Sequence, residues 1–175
     1  MSHTPYLGQS ADLLLGQEFL TWLWFRGATG AIFNDGEGRP FSVCVERRVV
    51  VEGGEGEFKE TASVSGLESE LREARLGLST GKKVSSALIG LRREPDEWTV
   101  SIKASDFSPS GLKTPKIEKT RADEEDREAF FLEKISLIES CLELLDRVYS
   151  DFLRIRLDSS AWAEESAMLA QWIRI

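Results

Sequence analysis

The sequence predicts an α+β fold: an antiparallel sheet with helices on one main face, a long C-terminal helix over about residues 126–156, and a short helix after it. Three observations predict it. Apolar and polar residues alternate in "FSVCVE" and "WTVSIKAS", the period of a half-buried strand. "LESELREARLGLSTG" and the stretch from Phe131 carry apolar residues at helical spacing instead. Turn clusters rich in Gly, Asn, Asp and Pro separate these segments, giving the order helix, strands, helix, strand hairpin, long helix.

The first element is "QEFLTWLWFRG", residues 17–27. Phe19, Leu20, Leu23 and Trp24 fit a helix, while Trp22 and Phe25 fill a second side, so most of its circumference is apolar. Such a helix is buried nearly all round or covered by a partner chain. Gly27 and Gly30 end it. "NDGEGRP" is a turn, followed by a strand in which Phe41, Val43 and Val45 alternate with Ser42, Cys44 and Glu46, and then directly by "VVVE". After the "GGEGE" turn, "FKETASVSG" is a polar-rich strand ending at Gly66.

A helix over 67–80 comes next, with Leu67, Leu71, Ala74 and Leu78 on one face, then a strand over 83–92. Between them "GLSTGKK" has the look of a phosphate-binding loop. That loop needs four residues between its glycines and a hydroxyl after its Lys, and it follows a strand and opens a helix. Here three residues separate Gly77 from Gly81, Lys83 stands in the hydroxyl position, and the order is inverted. Gly81 is instead placed to close the helix in a left-handed conformation. "REPDE" turns the chain into a strand whose Trp98, Val100, Ile102 and Ala104 share one face, and "DFSPSGLKTPKIEKTRADEED", residues 106–126, forms an exposed Pro/Gly/Ser/Lys connection.

From Phe131 the apolar residues run Phe131, Ile135, Ile138, Leu142, Leu145, Tyr149, Phe152, stepping alternately by four and three. That is a heptad row. A second row of Leu137, Cys141, Leu144, Val148 and Ile155 widens the stripe. Two uses fit: a core helix lying across the sheet, or the seam of a dimer. The acidic run Asp123, Glu124, Glu125, Asp126, Glu128 suits the positive end of that helix better than it suits a metal site. A last amphipathic helix covers about 160–172. The chain reads as a single α+β domain, residues 1–175. Its element order also admits two αββ-like halves, 13–66 and 67–106, before a helical segment over 122–175, although no residue-level repeat accompanies that division.

Composition narrows the chemistry. His3 is the single histidine, so Ser–His and Cys–His nucleophile pairs and His-based zinc sites are not expected. Cys44 and Cys141 lie in apolar contexts and are expected as reduced core thiols. No apolar run reaches membrane-spanning length, and the opening residues lack the charge pattern of a signal peptide, so a cytoplasmic protein is expected. No cofactor is expected, and no enzymatic activity. Net charge is −8 but uneven: residues 81–121 hold 9 Lys/Arg against 5 Asp/Glu, while residues 122–175 hold 6 against 13. The basic middle is either an anion-binding strip or ordinary solvated charge.

Read in order, "LLGQEFLTWLWFRG", "FSVCVERRVVVEGGEGEFKETASVSG", "SELREARLGLSTGKKV", "EWTVSIKASDFSPSGLKTPKIE" and "EKISLIESCLELLDRVYSDFLRIRL" resemble part of the RdgC family of bacterial recombination-associated proteins. The resemblance covers most of residues 13–172 and carries no catalytic signature. It implies a nucleoid-associated protein that forms a ring-shaped dimer around duplex DNA without sequence preference and restrains RecA filaments. This chain is shorter than a typical member and strongly acidic, so a companion chain completing the architecture is one implication.

Double-stranded DNA would then be held through the basic middle, Lys82, Lys83, Arg92, Arg93, Lys103, Lys113, Lys116, Lys119 and Arg121, joined by Arg47 and Arg48 if their hairpin shares the face. Lys and Arg suit this because they neutralise phosphates whatever the base sequence. The contrasting reading is an acidic scaffold or partner-binding module with no nucleic-acid role. A homodimer is expected from the apolar rows and from the resemblance.

Overall fold

The computed structural model describes residues 13–53, 60–65, 68–117 and 124–174. The elements are α1 (Leu13–Ala28), β1 (Ile32–Asn34), β2 (Pro40–Gly53), β3 (Glu60–Ser65), α2 (Glu68–Ser79), β4 (Lys83–Arg93), β5 (Asp96–Lys103), β6 (Pro109–Lys113), α3 (Glu124–Leu157) and α4 (Ser159–Ile173). This is the expected α+β fold, with the long helix followed by a short one.

All strand pairs are antiparallel, in the order β1-β2-β4-β5-β6, and β3 pairs with β2 beyond β1. β2 is one long strand where the sequence reads as two. Val45 aligns with Ile89 and Val49 with Ala87, so β2 spends two more residues than β4 over that interval. The excess is an even number of residues, so the alternation keeps its phase, and Phe41 and Val43 before the irregularity and Val49 and Val51 after it all face the core. A second correction concerns the connection after β5, which contains the edge strand β6: Thr99 aligns with Lys113 and Ile102 with Pro109. Its polar, Pro- and Gly-bearing sequence hides it, because an edge strand needs only one bonded side.

α1 is buried on every side, as its aromatic circumference predicts. Phe19, Leu20, Trp22, Leu23, Trp24 and Phe25 all lie in the core. Two glycines let it press on the sheet. A Cβ on Gly16 would stand 1.9 Å from Ala104 O, and one on Gly27 would stand 2.6 Å from Val43 O. The other flanks are covered by rings: Phe19 meets Tyr149 at 5.0 Å and Phe152 at 5.4 Å, and Trp24 meets Trp172 at 5.4 Å. Phe107 packs between Phe19 and Tyr149 with φ 55°, a conformation a bulky residue adopts only when its surroundings hold it there.

Two buried carboxylates tie the elements together. Glu165 of α4 accepts from Trp22 Nε1 at 2.7 Å and is in ionic contact with Arg26, fastening α4 to α1. Asp35 accepts from the backbone N–H of Glu37 and of Arg39, each at 2.9 Å, from Arg39 Nε at 2.8 Å and from Arg93 Nη1 at 3.0 Å. Burial raises its pKa, but these four donors outweigh burial and bring it down to about 2.

Candidate nucleic-acid interface

The turn at Gly81 answers the question its sequence raises. Gly81 has φ 92°, its N–H donates to Leu78 O, and Lys82 N–H donates to Gly77 O, each at 3.1 Å. This is the paired-bond closure of a helix C-terminus. Thr80 N–H is also used, on Gly77 O, so three consecutive amides that a phosphate would need already serve helix carbonyls. The Lys82 stem packs against Gly53 and Gly77, so its role includes fixing this turn.

The helices all sit on one face of the sheet. There Val84, Ala87, Ile89 and Leu91 of β4 and Trp98, Val100 and Ile102 of β5 are buried. Strand alternation sends the intervening side chains to the other face, on which no helix packs among the described residues. That face presents Ser42, Cys44 and Glu46 from β2, Leu88 and Arg92 from β4, Glu97, Thr99, Ser101 and Lys103 from β5, and Lys113 from β6.

Of the expected basic residues, the structure brings Arg48, Lys83, Arg92, Lys103 and Lys113 to this helix-free face, all exposed. Three described carboxylates share it: Glu46, Glu52 and Glu97. Cations therefore outnumber carboxylates here, whereas the whole chain carries −8. Lys83 and Arg92 stand nine residues apart on β4, about 30 Å at 3.3 Å per residue. Lys103, aligned with Ser86, sits toward the Lys83 end, and Lys113, aligned with Thr99, sits toward the Arg92 end.

The remaining expected residues separate from this group. Arg93 lies on the helix-covered side, largely buried, bonded to Asp35 and stacked 5.3 Å over the Trp98 ring. Its role is to hold the β4–β5 hairpin against the β1–β2 turn. Arg92 is in ionic contact with Glu97 across the hairpin. Lys116 is exposed beyond β6. Lys119 and Arg121, and the Arg47 side chain, lie outside the described residues, as do the side chains of the acidic run at 123–126. Among the described residues no His, Cys, Asp and Glu side chains gather as metal ligands, and no helix is long and apolar enough to cross a membrane.

Asp35 and the Trp22–Arg26–Glu165 group escaped the sequence reading, because each depends on partners far apart along the chain. The cysteine reading needs one correction: both thiols are free and Cys141 is buried, but Cys44 is exposed on the helix-free face. There Cys44 and Glu46 flank Gly90, which has no side chain to cover. Partial burial of the thiol, and then the Glu46 charge, push the Cys44 pKa up to about 11, and burial alone pushes Cys141 up to about 12. Neither is a thiolate at neutral pH, so neither is an activated nucleophile.

In comparisons with known proteins, no family model, no curated protein and no solved structure matches the chain.

Proposed function

We propose that this chain is a non-catalytic, sequence-independent DNA-binding protein of the RdgC kind that acts on recombination, and that it lies on duplex DNA by the helix-free face of its sheet. The observation that carries this reading is the placement of Arg48, Lys83, Arg92, Lys103 and Lys113 on one open face of an otherwise acidic molecule. A strip of about 30 Å matches roughly nine phosphates along one strand of a duplex. Its residues are phosphate-binding cations between Ser and Thr hydroxyls, a set that holds backbone and reads no base edges. The acidic helical layer opposite is repelled by DNA, which orients the protein face-down. In a cell, the site of action is the cytoplasm and its nucleoid.

The test is duplex binding titrated with salt. With Arg92 shared with Glu97, about four phosphate contacts give a slope of log affinity against log salt of about −4, equal for unrelated sequences. Changing Lys83, Lys103 and Lys113 together to Glu removes binding at moderate salt while leaving the melting temperature near that of the parent. Arg93 must stay intact in that experiment, since losing it strands Asp35. Unaltered binding by the triple variant moves the interface elsewhere. No binding by the parent at low salt leaves the acidic scaffold reading in its place.

A further inference from the structure

α1 and α2 both stand on β2, and a cleft of about 580 Å³ opens between them. Local sequence makes the room. α1 ends in Gly27 and Ala28, and Gly27 sits so close to the sheet that a Cβ there would stand 2.6 Å from Val43 O. With no bulk on the last turn of α1, the space in front of Leu71 stays open. Trp24, Val45 and Leu71 form apolar walls, and Trp172 of α4 closes one side, its ring 5.4 Å from that of Trp24. Arg72 and Arg75, three residues apart on one side of α2, also line the cleft. The Arg75 guanidinium lies 4.7 Å over the Trp172 ring. Stacking uses its face and leaves free the N–H donors, which lie in its plane. Among the described side chains no carboxylate is ion-paired with either arginine.

We propose that this cleft binds a small organic acid, a compact apolar body with an aromatic ring that carries one carboxylate. Its volume falls within the range of about 300–1,000 Å³ typical of small-molecule sites. The lining decides the class of ligand. Apart from the two arginines and the indole N–H groups it carries no hydroxyl, amide or carboxylate side chain. It therefore holds no side-chain acceptor for the hydroxyls of a sugar or for an ammonium group. Indole and aliphatic surfaces suit an apolar body, and a guanidinium fork matches a carboxylate through two parallel N–H bonds. Beside the rings, out of bulk water, that pair is stronger than in open solvent. A neutral molecule of the same shape keeps the apolar contacts and loses the ionic one. The cleft lies on the helical side of the sheet, away from Lys83, Lys103 and Lys113, so the proposal does not rest on DNA binding.

The probe is cinnamate, titrated to millimolar concentration into the isotopically labelled full chain and followed by nuclear magnetic resonance, with cinnamyl alcohol as its neutral counterpart. The indole N–H signals of Trp24 and Trp172 move with cinnamate, while that of Trp98, bonded to Leu137 O, stays in place. Cinnamyl alcohol binds about tenfold more weakly, the loss of one charge-assisted contact. Arg72→Gln together with Arg75→Gln abolishes that preference. Ala28→Leu, at an exposed position outside the core, fills the cleft and removes the shifts of Trp24 and Trp172 with an unchanged melting curve. The variant with Lys83, Lys103 and Lys113 changed to Glu binds cinnamate as the parent does. Unmoved Trp24 and Trp172 signals overturn the proposal, and so does equal binding of acid and alcohol. Both readings are made on the parent chain, so they stand whether or not a variant folds. Full binding by a folded Ala28→Leu chain, or loss of binding in the triple Glu variant, places the site elsewhere and also overturns it.

Discussion

Along β5, Val100 and Ile102 are buried beneath the helices, while Thr99, Ser101 and Lys103, one residue along, turn to the other side of the sheet. The same alternation runs through β4, where Ile89 and Leu91 are core and Arg92 is solvated. On the covered face the two buried carboxylates have designated partners: Asp35 has four donors, and Glu165 has an indole and a guanidinium. On the helix-free face the described cations are exposed, and Arg92 is paired with Glu97. The difference follows from solvation. A buried carboxylate must replace every bond water gave it, whereas a surface lysine is already solvated and remains available to a polyanion.

The contrast is broken most severely where α1 touches the sheet. Gly16→Ala places a methyl group inside contact distance of the Ala104 carbonyl, where backbone, not a flexible side chain, must give way. The expected loss is about 3 kcal/mol or more in urea unfolding. Ser101→Ala on the opposite face is expected to change stability by no more than about 0.5 kcal/mol. Equal effects at the two positions would show that α1 is not seated as described.

A smaller effect is expected from Glu165→Ala, which leaves the Trp22 N–H and the Arg26 guanidinium without their acceptor. One unsatisfied buried donor costs about 1–3 kcal/mol. Because Arg26 is partly exposed and regains water, the lower end of that range is expected. Measured against Glu164→Ala, its exposed neighbour, the difference isolates the burial term.

The mildest effect is the acid limb of the stability profile. Asp35 titrates at about 2 in the folded protein against an ordinary value of 3.8. Its contribution is therefore complete above pH 3.8 and lost as pH falls through about 2. Asp35→Asn is expected to lower the unfolding midpoint at neutral pH and to flatten its fall between those two values. A variant as acid-sensitive as the parent would assign the acid limb to other carboxylates.

Much of the architecture was legible because it rests on local period. The all-round apolar character of α1, the shared face of Trp98 to Ala104 and the closure at Gly81 follow from side-chain spacing and from the conformations glycine allows. β2 and β6 were not fully legible. β2 runs as one strand through an irregularity defined only by the pairing with β4, and β6 is a strand only because β5 offers it bonds. The basic residues of the candidate interface were visible as a composition bias. Arg92 and Arg93 are adjacent in the chain, yet pleating sends one to solvent and the other to Asp35.

By itself, then, the sequence determined the kind and order of the main elements, the residues able to form a core and the absence of a histidine-based catalytic set. These depend on residue type and short-range spacing. Tertiary structure alone decided that Leu145, Tyr149 and Phe152 of the α3 row are core while Phe131, Ile135 and Leu142 are exposed, and which cations share a face. It also decided which carboxylates, Asp35 and Glu165, are held by distant donors. Burial and charge proximity are set by what packs against a residue, and a neighbour brought in from 58 or 143 positions away leaves no local trace.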